Sequence, residues 1–178
     1  MAEEKKELWL SYLALTTVVL AVCATLSTFK GGSYSTRSVM FQTQASDQWA
    51  FYQAKSIKGY LYDIQREMLE LELRERSDSS PPSLLEGHKN QIASFAGKVA
   101  KYEDEKKQIQ EAAKKLEASR DDAQKHQQIF GMAVIFLQIS ILLSSIAALL
   151  KKKSFWLMGL AVGLVGVVYF ANGFLLFM

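Results

Sequence analysis

Histidine, cysteine and carboxylate side chains are the groups of this 178-residue chain that could carry out chemistry. The two histidines, His88 and His126, fall at opposite ends of one predicted helix, whereas a metal site needs three or four converging ligands. Cys23 is the only cysteine and lies in an apolar run, where a free thiol packs as a small apolar side chain. The sequence contains no nucleophile–histidine arrangement and no glycine-rich phosphate loop. We therefore predict no catalytic, cofactor-binding or metal-binding residues, and a protein that is not an enzyme.

The charged residues form the pattern of a solvated helix instead. The run Glu103–Lys107 places acidic residues directly before basic ones, which is typical of the exposed face of a coiled coil. Residues 30–128 are nearly balanced in charge, so they offer no basic surface for nucleic acid. We predict that nucleic acid is not a partner.

Three apolar runs are free of charged residues, and we predict that they span a membrane. Each is long enough to cross a hydrocarbon core of roughly 30 Å at about 1.5 Å per residue. The first follows a short N-terminal segment within residues 1–29, the second covers 129–150 and the third covers 154–178. Membrane lipids are therefore the first predicted partner.

The basic residues predict the orientation of these spans. Lys151, Lys152 and Lys153 form the short loop 151–153, and short basic loops remain in the cytoplasm. The same side then holds the N-terminus, where Lys5 and Lys6 agree. Residues 30–128 are accordingly predicted to be extracytoplasmic.

One heptad stripe continues from the extramembrane segment into the second span. Apolar residues separated alternately by three and four positions are the seam along which one helix packs on another. The stripe runs through Leu85, His88, Ile92, Phe95, Val99, Tyr102, Lys106, Ile109, Ala113, Leu116, Arg120, Ala123, Gln127, Phe130, Val134, Leu137 and Ile141.

A second heptad seam lies upstream, which predicts an antiparallel coiled-coil hairpin between the first and second spans. Its arms cover about residues 34–76 and 84–128, joined by a turn rich in serine and proline, and Gly31-Gly32 is the predicted hinge before the first arm. The fold class is thus all-α. The upstream seam consists of Ala50, Ala54, Ile57, Leu61, Ile64, Met68 and Leu71.

Two helices alone form a thin core, and polar residues such as Lys106, Arg120 and Gln127 weaken it further. Polar seam residues often fix the register or the oligomeric state of coiled coils. We therefore expect several copies to pack together as a homo-oligomer.

An aromatic cluster in the first arm is the candidate protein-contact site. Its aromatic residues lie on several faces of the helix, more than one seam can bury, and lysines flank them. A wide helical core near the membrane is an equally good explanation. The contact residues are predicted to be Trp49, Phe51, Tyr52, Lys55 and Lys58.

Small and polar residues in the spans predict helix packing. Glycines four residues apart let helix backbones approach closely in lipid, within one chain or between chains, and a side-chain amide can hydrogen-bond across helices. The predicted packing residues are Gly159, Gly163, Gly166, Gly173 and Gln138.

The run Ala45–Lys58, ASDQWAFYQAKSIK, closely resembles the signature of a bacterial membrane-protein family known as a domain of unknown function (number 4337). The order of parts is also similar, with Lys101-Tyr102-Glu103 in the charged second arm, Phe136–Ile139 in the second span and glycines in the third. The resemblance implies bacterial origin and a membrane location. It carries no activity or catalytic residues.

These observations favour a structural or scaffolding protein of the bacterial inner (cytoplasmic) membrane that displays a helical bundle and binds itself or another envelope protein. One alternative is a sensory or adaptor protein that passes a signal along the continuous helix 84–150. Another is an accessory subunit of a channel or transporter, with the glycine face and Gln138 at a pore.

Overall fold

A computed structural model describes residues 2–76 and 81–176, and nearly all of them are helical. Helix α1 covers Ala2–Arg76, α2 covers Pro82–Leu150 and α3 covers Lys153–Leu175, and no strand occurs within the described ranges. The predicted turn between the arms falls partly on residues 77–80, which lie outside the described residues. The all-α prediction is confirmed.

Each of the three helices is long enough and apolar enough to cross a membrane, judged by its length and composition. The most apolar stretches lie near the N-terminus in α1, within α2 and throughout α3. The chain therefore has the composition of a membrane protein with three spans.

The predicted hinge at Gly31 and Gly32 is wrong, because α1 is a continuous helix through both residues. Neither glycine has a positive φ. A Cβ at Gly31 would lie 3.3 Å from the Cβ of Phe130, so this glycine permits close contact between α1 and α2. Gly31 therefore contributes to the packing of α1 against α2 and does not bend the chain.

Helices α2 and α3 each begin slightly earlier than predicted. Helix α2 begins at Pro82, two residues before Leu84, and proline suits the first helical position because its missing N–H would lack an intrahelical partner there. At the other end Lys151 adopts a left-handed conformation with φ 51°, which turns the chain. Since α3 begins at Lys153, the basic connection is one residue shorter than predicted.

The chain divides into two compact units, the first made of Met1–Met40 with Ser119–Met178. Its core contains Leu20, Ala24, Ala133 and Leu137, with parts of all three helices around it. A second buried cluster forms around Trp9, Leu13 and Ala147, with Leu10, Ala148, Phe155 and Trp156 packed against it. This unit holds the apolar stretches of the chain.

The second unit is Phe41–Ala118 and contains parts of α1 and α2. Within each unit, the described positions of the heptad stripe of α2 are buried or half-buried, as a packing seam requires. Contacts pair Trp49 with Glu117 and Tyr62 with Phe95, so later positions of α1 meet earlier positions of α2.

The predicted seam of α1 is wrong, because another face of the helix contacts α2. Every residue of the predicted seam is exposed: Ala50, Ala54, Ile57, Leu61, Ile64, Met68 and Leu71. The buried and half-buried positions lie on a different heptad stripe of the same helix. That inner stripe consists of Ala45, Gln48, Tyr52, Lys55, Gly59, Tyr62, Arg66, Leu69 and Leu73.

Candidate protein-interaction surfaces

A buried lysine organises the unit formed by Phe41–Ala118. Lys106 is only 7% exposed, and its Nζ atom donates a 2.7 Å hydrogen bond to Oε1 of Glu103, one helical turn earlier. The same ammonium group lies 5.5 Å and 5.6 Å from the ring centres of Tyr52 and Tyr60 on α1. The hydrogen bond to Glu103 raises the pKa of Lys106, against the opposing effect of burial. Lys106 is therefore a charged seam residue whose partners come from both helices.

A second ion pair links the two helices. Lys55 Nζ lies 2.6 Å from a carboxylate oxygen of Glu105, and it also lies above the rings of Phe51 and Tyr102 at 5.2 Å and 5.4 Å. The hydrogen bond from Lys55 lowers the pKa of Glu105, with further attraction from Lys55 and Lys101. This pair is one of several contacts that join α1 to α2 in this unit.

Aromatic and small residues complete the inner stripe. The indole N–H of Trp49 donates to Oε1 of Glu117 at 2.9 Å. Tyr62 stacks on Tyr102 with ring centres 5.9 Å apart. A Cβ at the buried Gly59 would lie 3.6 Å from the Cβ of Tyr102, so the two backbones approach closely there. The inner stripe thus combines close packing with directional contacts.

These contacts place the five residues predicted to bind a partner protein on two sides of α1. Trp49, Tyr52 and Lys55 contact α2 within the same chain. Phe51 is 50% exposed and Lys58 is exposed. Binding of another protein at these residues stays a prediction, and Phe51 and Lys58 are its accessible members.

Apart from the inner stripe, α1 carries an exposed apolar surface, named here the outer stripe, whose Tyr60 also reaches Lys106 of α2. Its seven side chains are between 50% and 65% exposed. These exposed fractions and ordinary side-chain sizes give the outer stripe an accessible surface on the order of 800 Å². In a standard stable interface each partner buries a similar area, roughly 800 Å². The outer stripe consists of Phe51, Ile57, Tyr60, Leu61, Ile64, Met68 and Leu71.

Helix α2 offers no comparable surface in this unit. Of its large apolar side chains that the structure describes there, only Leu84 is exposed. Its exposed positions are mainly lysine, glutamate and glutamine, together with alanine. The apolar exposure is therefore confined to one side of the unit.

The glycine face of α3 packs within the chain. Gly159, Gly163, Gly166 and Gly173 are all buried. A Cβ at Gly166 would lie 2.8 Å from Cγ of Leu137, and one at Gly173 would lie 2.7 Å from a ring carbon of Phe130. The hydroxyl of Ser140 donates to the carbonyl oxygen of Gly159 at 2.5 Å. The sequence left open whether these four glycines pack within one chain or between chains, and the structure shows contacts within the chain.

Gln138 does not share that face. It is exposed, whereas its neighbour Leu137 is fully buried against α3. Gln138 is consequently available for a contact outside the chain.

His126 makes a contact that the spacing of residues in the sequence does not indicate. Its Nδ1 atom lies 2.7 Å from the carbonyl oxygen of Gly173, and because a carbonyl can only accept, Nδ1 is the donor. The ring of Tyr34 stacks on the imidazole with centres 4.4 Å apart. Carbonyl groups in the last turn of a helix lack intrahelical partners, so His126 satisfies one at the end of α3. The three-residue contact ties α1, α2 and α3 together.

No set of three or more histidine, cysteine, aspartate or glutamate side chains converges as a metal site among the described residues. Polar contacts between helices include those of Trp49 with Glu117, Lys55 with Glu105 and Ser140 with Gly159. Two of the surfaces that the described part of the chain leaves exposed are the outer stripe and the position of Gln138.

Comparison with known proteins gives one relationship. No curated protein and no solved structure shows significant similarity to the chain. A family described as a domain of unknown function (DUF4337) matches residues 9–176, which include nearly the whole chain. The chain belongs to this family, the domain of unknown function DUF4337.

Proposed function

We propose that this protein is a homo-oligomeric scaffold of the bacterial inner membrane, anchored by three spans and displaying an antiparallel coiled-coil hairpin outside the cytoplasm. The N-terminus and the turn at Lys151 and Lys152 lie in the cytoplasm in this proposal, as the basic residues favour. In this proposal the protein assembles with further copies of itself, and it neither catalyses a reaction nor binds nucleic acid. Membrane lipids surround the apolar stretches of the three helices.

The observation that carries the proposal is the exposure of the outer stripe. Ile57, Leu61, Ile64 and Met68 follow heptad spacing and are more than half accessible. An isolated apolar side chain on a surface needs no explanation, but a contiguous patch of this size marks an interaction site. Heptad spacing further indicates that the partner is another helix lying along α1.

A second copy of the chain is the partner that the surface favours. The exposed face of α2 is mostly polar, so within the described part of this unit the outer stripe finds its apolar match in the same stripe of another copy. Anchoring in one membrane raises the local concentration of such copies and reduces the entropic cost of their association. Burial of the stripe at about 25 cal/mol per Å² would then stabilise the assembly.

Native mass measurement of the full chain in lipid nanodiscs tests the proposal. We expect a discrete oligomer for the wild type and dissociation for Leu61→Glu combined with Ile64→Glu, because the charges would have to be desolvated in the interface. The matched control adds the same charges to exposed positions of α2, with Ala100→Glu and Ala112→Glu, and should remain oligomeric. A monomeric wild type would refute the proposal, and an oligomer that survives the stripe substitutions would move the interface elsewhere.

A sensory or adaptor function is the second candidate, because α2 is a single uninterrupted helix from Pro82 to Leu150. A continuous helix can transmit a shift or rotation along its length. This function requires that a ligand or stress signal change how accessible the residues near Lys151 are to a labelling reagent in the cytoplasm. Cysteine labelling at Lys152→Cys, in a Cys23→Ala background, would detect such a change when an antibody fragment binds the unit formed by Phe41–Ala118. Unchanged labelling would leave the scaffold as the sole proposal.

A further inference from the structure

Gln138 occupies the middle of the apolar stretch of α2. Nine residues, or about 14 Å of helix, separate it from Ile129, and twelve residues, or about 18 Å, separate it from Leu150. A hydrocarbon core is roughly 30 Å thick, so the amide of Gln138 lies near its centre. The glutamine side chain is too short to reach either interface from that depth.

The side chain of Gln138 is exposed and lacks a partner within the described part of the chain. Other polar side chains of this region are satisfied: Ser140 donates to Gly159, and Ser145 donates to the carbonyl of Ile141. No comparable hydrogen bond is formed by Gln138 within residues 2–76 and 81–176. An amide facing lipid tails loses hydrogen bonds that water would have supplied.

The residues around Gln138 form a second exposed seam, named here the membrane stripe. Its members alternate by four and three positions, which is the spacing of helix–helix contact. Small residues near both ends allow another helix to approach closely. The membrane stripe consists of Gly131, Ile135, Gln138, Leu142, Ser145 and Leu149, all of them exposed.

We infer that Gln138 pairs with Gln138 of a second copy of this chain inside the membrane. Copies anchored in one membrane in the same orientation carry this amide at the same depth, which a different protein would not do automatically. A carboxamide is both donor and acceptor, so two identical side chains can satisfy each other across a two-fold axis. The inference rests on the membrane placement in the proposed function, but it concerns a different surface from the outer stripe.

Disulfide trapping of the full chain in lipid vesicles tests this pairing. In a Cys23→Ala background, Leu142→Cys places a single thiol on the membrane stripe, and Leu164→Cys places one on an exposed position of α3 as the control. We expect oxidation to link Leu142→Cys copies and to leave Leu164→Cys copies mostly unlinked. Adding Gln138→Leu should weaken association roughly tenfold, as measured by diluting the protein with lipid, whereas Gln138→Asn should largely retain it.

Three outcomes would overturn the inference. Gln138→Leu could leave linkage at Leu142→Cys unchanged, the Leu164→Cys control could link equally well, or Gln138→Asn could behave like Gln138→Leu. Native mass measured on the same vesicle preparations separates this failure from that of the proposed function. An oligomer without linkage at Leu142→Cys leaves the scaffold intact and removes the membrane contact, whereas a monomer removes both.

Discussion

Lys106 donates a 2.7 Å hydrogen bond to Glu103, and the aromatic rings of Tyr52 and Tyr60 cover the same ammonium group from α1. A buried ammonium group without partners would be strongly destabilising. Tyr52 belongs to the inner stripe and Tyr60 to the outer stripe, and both rings attract the cation. The charge of this seam residue is thus satisfied inside the unit formed by Phe41–Ala118, while the outer stripe of α1 remains more than half accessible.

Substitutions of Lys106 should separate the contribution of its stem from that of its charge. Lys106→Ala removes the buried stem and should lower the free energy of unfolding by about 2 kcal/mol. Lys106→Met keeps the volume without the buried charge and should change it by less than about 1 kcal/mol. Hydrogen exchange of the amides in residues 41–118 of the full chain measures both. Equal losses for the two variants would show that the charge dominates.

The acid stability of the unit formed by Phe41–Ala118 should depend on Glu105. The hydrogen bond from Lys55 lowers the pKa of Glu105 in the folded state. The stabilisation is therefore present above the ordinary glutamate pKa and is lost as the pH falls through the lower, folded pKa. Unfolding followed between pH 7 and pH 3 should show a smaller acid loss for Glu105→Gln than for wild type. The exposed Glu111→Gln is the control and should follow the wild-type profile.

Gly166 should tolerate no side chain. In Gly166→Ala the added Cβ would lie 2.8 Å from Cγ of Leu137 and 3.0 Å from its backbone nitrogen, and the backbone atom cannot rotate away. We expect a loss of about 1–3 kcal/mol, measured by thermal unfolding in mild detergent. Gly32→Ala is the matched control, because nothing lies within 4 Å of the added Cβ there. Similar melting of the two variants would contradict the close packing of α3.

The pairing of two outer stripes should be sensitive to Glu67. Copies anchored in one membrane would pair their α1 helices in parallel. In a parallel coiled coil, a residue beside the seam of one helix faces the residue five positions later in the sequence of the other helix. Glu67 and Glu72 hold such positions, so like charges would face each other. Glu67→Gln should increase the oligomeric fraction at low salt, with a smaller gain at high salt, in native mass measurements. Oligomers that do not respond to Glu67→Gln would exclude the parallel register.

The contact between His126 and the end of α3 should contribute modestly to its stability. His126→Phe keeps an aromatic ring against Tyr34 but removes the hydrogen bond to Gly173. We expect a loss of about 1 kcal/mol, seen as faster amide exchange in the last turn of α3. His88→Phe is the control on the same helix. No difference between the variants would show that the stacked ring alone holds this end of α3.

Regular spacing made several features predictable from the sequence. The charge-free apolar runs predicted the three helices that are apolar enough to cross a membrane, because no other common structure satisfies the backbone of such a run in lipid. The heptad stripe of α2 was also predictable, since most of its positions are apolar and the spacing of three and four residues continues from Leu85 to Ile141. The four glycines of α3 were placed on a packing face by their spacing, although spacing could not say which residues they would meet.

The tertiary structure decided what spacing left open. Helix α1 carries two heptad stripes, and the less aliphatic one packs on α2, so a rule that follows apolarity alone selects the wrong face. Gly31 was expected to bend the chain, but α1 continues through it and the missing side chain leaves room for Phe130. The sequence by itself determined which segments are helical and which faces are able to pack. The partners of each face depended on where buried polar groups such as Lys106 and His126 find hydrogen bonds and charges, and these groups come from residues far apart in the chain.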